Sequence, residues 1–68
     1  MNEILAEKIV NRAKKLNGPD LTMQDALSMQ LVFRENDEYI YRFQKNNETI
    51  VNAFIGPNII SICKVWAP

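Results

Sequence analysis

Apolar residues recur over the first sixteen positions at helical spacing. Leu5, Ile9, Ala13 and Leu16 form one stripe, widened by Ala6 and Val10. Glu3 near the start and Lys14-Lys15 near the end complement the helix dipole. Asn17-Gly18-Pro19 then stops the helix, with Gly18 as a left-handed cap and Pro19 unable to continue it. The pattern predicts a helix over about 2–16.

Residues 22–33 carry two patterns at once. Thr22 and Asp25 match a capping box, and apolar residues at 23, 26, 27, 29, 31, 32 and 33 cover a wide helical face. Leu27 through Arg34 also alternates as a strand does, with Glu35-Asn36-Asp37-Glu38 as a turn after it. The cap and the Met-Gln-Asp-Ala-Leu opening favour a helix over 22–33. A helix that changes to strand near Gln30 would satisfy both patterns.

From Tyr39 the period becomes two. Tyr39, Tyr41 and Phe43 alternate with Ile40, Arg42 and Gln44, which is a strand with one buried face. Asn46-Asn47 suits a two-residue hairpin turn, because Asn tolerates the left-handed region. That turn places Lys45 opposite Glu48, Phe43 opposite Ile50, Tyr41 opposite Asn52 and Tyr39 opposite Phe54. Gly56-Pro57-Asn58 breaks the chain again, and Ile59–Trp66 returns beside it, with Phe54 opposite Ile60, Asn52 opposite Ile62 and Val51 opposite Cys63.

This register sorts the sheet into two faces. Tyr39, Tyr41, Phe43, Ile50, Asn52, Phe54, Ile60, Ile62 and Trp66 share the expected core face. Val51, Ala53, Ile55, Ile59, Cys63 and Val65 fall on the other, with Ile40, Arg42, Gln44 and Ser61. An antiparallel sheet with one wet face alternates cleanly. Here the second face is apolar on the last two strands, and two short helices cannot cover both faces.

The expected fold is α+β: two short N-terminal helices on a three-stranded antiparallel meander at 39–45, 48–55 and 59–66. The alternative is one helix on a four-stranded antiparallel sheet, with 29–34 as the extra strand. Sixty-eight residues make a single domain, 1–68, near the lower limit for one core. One cysteine excludes an internal disulfide, and the absence of histidine argues against structural zinc. Chains this small gain stability by oligomerisation when staples are missing. A homodimer or higher homo-oligomer is therefore expected, with Val51, Ala53, Ile55, Ile59, Ile62, Cys63 and Val65 at its interface. The last strand, expected at the sheet edge, adds a second pairing route. No cofactor is implied.

Net charge is zero but uneven: +2 over residues 1–19, −4 over 20–38 and +2 over the remainder. The neutral total argues against nonspecific nucleic-acid or membrane binding. The apolar run over 50–68 is interrupted by Asn52, Gly56-Pro57-Asn58 and Lys64, which leaves pieces shorter than the ~20 residues a bilayer needs. Cysteine usage and the lack of a signal-peptide pattern point to a reducing, cytoplasmic setting.

Catalytic chemistry finds no support. Cys63 has no histidine to activate it and reads as a small buried hydrophobe. Glu35, Asp37 and Glu38 sit on an acidic turn without calcium-site spacing or an apolar pocket. The chain is therefore expected not to be an enzyme. Lys8, Arg12 and Lys15 form one stripe on the first helix, which supports an alternative reading as a small nucleic-acid binder or transcription regulator. In its order of elements the chain resembles many small phage and mobile-element proteins, in which one or two helices precede a β-meander. That resemblance implies an accessory protein that binds and modulates or inhibits a larger host or defence protein. The leading expectation is a non-enzymatic protein-binding module.

Overall fold

The computed structural model describes residues 1–16, 18–46 and 49–66, with the side-chain surroundings of 45, 46, 65 and 66 left aside. Helix α1 spans Glu3–Lys15. The Asn2 side chain caps it, its Oδ1 accepting from the Leu5 N–H at 2.8 Å. Ala6, Ile9, Val10 and Ala13 form its buried face; Leu5 of the expected stripe packs against it half-buried, and Leu16, expected there too, is 47% exposed because the helix ends at Lys15. At the other end the Gly18 N–H donates to the Ala13 carbonyl at 2.8 Å. Neither glycine takes a positive φ, so Gly18 is not the left-handed cap expected of it. A Cβ on Gly18 would lie 3.3 Å from that same Ala13 carbonyl oxygen, so the residue serves close approach instead.

Helix α2, Met23–Leu27, opens on the predicted capping box. The Thr22 Oγ1 accepts from the Asp25 N–H at 3.0 Å, and the Thr22 N–H donates to Asp25 Oδ2 at 3.1 Å. It does not run to Phe33. The Ser28 hydroxyl bonds back to the Gln24 carbonyl at 2.8 Å, and the Met29 N–H reaches the Ala26 carbonyl, which tightens the last turn and ends it. Val32 and Phe33, β-branched and aromatic, then favour a strand, in which Leu31 pairs with Tyr41 and Phe33 with Ile40.

Four strands follow: β1 Gln30–Glu35, β2 Glu38–Asn46, β3 Thr49–Ile55 and β4 Ile60–Trp66. They form an antiparallel meander in the order β1-β2-β3-β4. The three-stranded expectation is corrected: the sheet is the four-stranded one of the alternative, one helix on a four-stranded sheet, and α2 remains as a short second helix. The change from helix to strand falls at Gln30.

The register differs from expectation by one residue. Tyr39 pairs with Ile55, Tyr41 with Ala53 and Phe43 with Val51. The irregularity lies between Gln44 and Asn46, where Lys45 is the extra residue and Asn46 pairs with Thr49. Asn46 thus belongs to the ladder and not to the expected Asn46-Asn47 turn. Residues 47 and 48, and with them the expected Lys45–Glu48 charge pair, lie outside the described residues. β4 shifts likewise: Ile55 pairs with Ile60, Ala53 with Ile62 and Val51 with Lys64.

A one-residue slip sends every side chain of a strand to the other face. Val51 and Ala53, expected on the open face, are fully buried with Ala6, Ile9, Ala13, Leu21, Ala26 and Met29. Tyr41, Phe43, Ile55, Ile60 and Ile62 pack around them, half-buried. Ile50, Asn52 and Phe54, expected in the core, face away from the helices beside Ile40 and Arg42. Four alanines in the core bring the helices close to the sheet. Ile9 and Val51 are the largest fully buried side chains among the described residues, so the core is small.

Candidate functional site

The sheet face away from the helices is uncovered. Phe33 pairs with Ile40, Ile40 with Phe54 and Phe54 with Ser61, so one apolar row crosses the strands directly. Phe33 is 42% exposed and Phe54 41%, while Ile59, just before β4, reaches 59%. Phe33, Ile40, Phe54, Ile59 and Ser61 line one shallow depression with Glu38, Tyr39 and the Gly56-Pro57 turn.

Charge flanks the row on both sides. Glu35 stands opposite Glu38 at the β1–β2 turn, two like charges in direct pairing. Two residues beyond Ile40 on the other side lies Arg42, whose Nε donates to Asn52 Oδ1 at 3.0 Å. The turn itself rests on Asn36, which takes φ 52° in the left-handed region. The acidic segment is an exposed hairpin, as expected. Among the described residues no group of three His, Cys, Asp or Glu could hold a metal ion.

The expected interface residues do not share one surface. Val51 and Ala53 belong to the core, and Ile55 and Ile62 pack half-buried against it. Ile59 and Cys63 are exposed, and Cys63 stands opposite Asn52 on the open face, so it is not the buried hydrophobe expected. Val65 pairs with Ile50, and its side chain lies outside those described. Phe33, Ile40 and Phe54, the middle of the apolar row, were absent from the expected set. A helix over 22–33 takes Phe33 out of the sheet, and the expected register turns Phe54 toward the core, whereas the observed pairing puts both on the open face.

β1 and β4 are the sheet edges. Every residue of β1 is exposed, and its pairing with β2 shifts between Leu31 and Phe33. Such a bulge discourages edge pairing.

A second surface lies along α1. Lys8, Arg12 and Lys15 come together there, lining an open groove of about 390 Å³ with Asn11, Asn58, Ile59 and Ile60. The half-buried Arg12 donates from Nε to the Ile60 carbonyl at 2.9 Å.

No family model, curated protein or solved structure matches this chain. Among the described residues no helix is long and apolar enough to cross a membrane.

Proposed function

We propose that the chain is a small, non-enzymatic protein-binding module whose docking surface is the open sheet face, and that one occupant is a second copy of itself. The row formed by the exposed Phe33 and Phe54 on either side of the half-buried Ile40 carries this reading. Contiguous exposed apolar surface on a soluble domain marks an interaction site. The core beneath is small, and burying the row adds apolar area at ~25 cal/mol per Å².

The charge pattern favours a second copy. Glu38 and Arg42 flank Ile40 two positions to either side along β2. A two-fold axis running along the row lays each row over itself and reverses the strands across the interface. Glu38 of one copy then lies over Arg42 of the other, twice, and the second copy's guanidinium relieves the Glu35–Glu38 repulsion. The molecule's two longer dimensions, 30 and 23 Å, are of the scale that a standard interface of ~800 Å² per partner requires.

Light scattering behind a sizing column at ~100 μM tests this. The expected mass is twice 7.9 kDa. Phe54→Lys should leave a folded monomer. Glu38→Arg and Arg42→Glu should each weaken the dimer, and the double variant should restore it. A folded monomer for the unaltered chain, or an unchanged mass for Phe54→Lys, would overturn the self-association.

The order of elements supports a wider reading, a phage- or mobile-element-type accessory protein acting in the cytoplasm to modulate or inhibit a larger host or defence protein. Its test is capture from lysate, with and without nuclease, using the unaltered chain and Phe54→Lys in parallel. A protein retained by the first and lost by the second supports it. A partner lost on nuclease treatment speaks instead for nucleic acid.

A further inference from the structure

We infer that the groove between α1 and the start of β4 binds a dianionic phosphate monoester. The groove shares Ile59 with the depression on the open sheet face, and the inference does not depend on that face's occupant.

Helical spacing builds one wall. Lys8, Asn11, Arg12 and Lys15 stand at i, i+3, i+4 and i+7, on one flank of α1. The Gly56–Ile60 segment builds the other. The Gly56 N–H bonds to the Ile59 carbonyl at 2.9 Å, closing a tight turn that holds Asn58 at the rim. The Arg12–Ile60 hydrogen bond ties the two walls together. With Nε engaged, the guanidinium is fixed, and its two terminal nitrogens remain for a ligand.

Charge converges there without compensation. Three cations line the groove and no carboxylate does; Glu3 and Glu7 of the same helix are not among its lining residues. Among the described residues, none of Lys8, Arg12 or Lys15 pairs with a carboxylate. In a chain of zero net charge, three adjacent unpaired cations make a local positive field.

The donor set selects the ligand. A carboxylate carries one charge and two oxygens, which a single arginine satisfies. A phosphate monoester carries about −1.5 to −2 and three terminal oxygens near neutral pH. It can use Arg12, both lysines and the Asn11 and Asn58 amides together. Ile59 and Ile60 offer apolar surface to the organic part of the ester. A nucleic-acid backbone spreads single charges along its length and needs an extended run of cations. Here the cations gather at one groove, and residues 20–38 carry a net −4 that opposes a long polyanion.

The test is a titration of the ¹⁵N-labelled full chain with phenyl phosphate. Diphenyl phosphate, benzoate and a single-stranded oligonucleotide are run beside it. Amide shifts are expected at Lys8, Asn11, Arg12, Lys15, Asn58 and Ile59, with the monoester binding tightest. Lys8→Gln with Lys15→Gln removes two exposed cations without touching the Arg12 tether. It should weaken binding by roughly tenfold or more, since each charge-assisted bond is worth about that factor. Binding should fade below pH ~6, where the monoester gains its second proton. The charged groups that face the ligand are Lys8, Arg12 and Lys15, and neither carboxylate nor histidine lines the groove from either wall. No localised shifts at ~10 mM phenyl phosphate would overturn the inference. So would equal binding of the diester or benzoate, retained affinity in the double variant, or an oligonucleotide that binds tighter per phosphate than the monoester.

Discussion

Tyr41 stands directly opposite Ala53, a ring against a single methyl group. That pairing decides which side of β3 meets α1. It places Val51 and Ala53 under the helix, while Phe54 faces out.

Val51→Glu and Phe54→Glu, three residues apart, should therefore behave oppositely. An unpaired carboxylate in place of the fully buried Val51 costs several kcal/mol, a large part of the margin of so small a domain. Val51→Glu is expected to lose the dispersed amide spectrum and the thermal transition. Phe54→Glu is expected to keep both. A folded Val51→Glu variant would refute the register.

The capping box should be a coupled pair. Thr22→Ala is expected to cost about 1 kcal/mol in urea unfolding, and Asp25→Ala a similar amount. The double variant should cost less than their sum, because each substitution already breaks the reciprocal arrangement. α2 has five residues and cannot hold itself. The loss should therefore also loosen Ala26, which is fully buried.

Asn36 is the one described non-glycine residue with positive φ. Asn36→Ala should destabilise by roughly 1 kcal/mol, the cost of a Cβ in the left-handed region without the Asn side chain's local hydrogen bonding. Asn36→Gly should be close to neutral. Equal losses for both would place the Asn contribution in its side chain instead.

Glu35→Lys should raise stability by a few tenths of a kcal/mol by removing the like-charge pairing with Glu38. The gain should shrink at ~1 M salt, where surface charges are screened within ~3 Å. A gain that persists in high salt would point away from the Glu38 pairing.

Much of this fold was legible in the sequence. The stripe through Ile9 and Ala13 marks α1, Thr22 and Asp25 mark the start of α2, and the rings of β2 mark its covered side. The double pattern over 27–34 was a true signal of two elements, and Ser28 marks where one yields to the other. The register of β3 was not legible, because Ile50 and Phe54 are as apolar as Val51 and Ile55. Alternation therefore could not choose between the faces. The bulge at Lys45 that settles the matter leaves no mark in the pattern. Size offered a hint: Ala53 is small enough to lie under a helix, and Phe54 is not. The basic stripe on α1 was visible, but its meeting with Asn58 and Ile60 depends on where β4 returns.

The shift in β1 also bears on how such a chain can change in length. Gln30 and Leu31 pair with Arg42 and Tyr41, and Phe33, Arg34 and Glu35 pair with Ile40, Tyr39 and Glu38. Val32 has no partner in either run. Without it, both runs would merge into one unbroken ladder, with Leu31 and Phe33 still on opposite faces. Val32 is in this sense an inserted residue that an edge strand has absorbed. A chain shortened by that one position should fold to the same sheet, with a straighter and stickier edge.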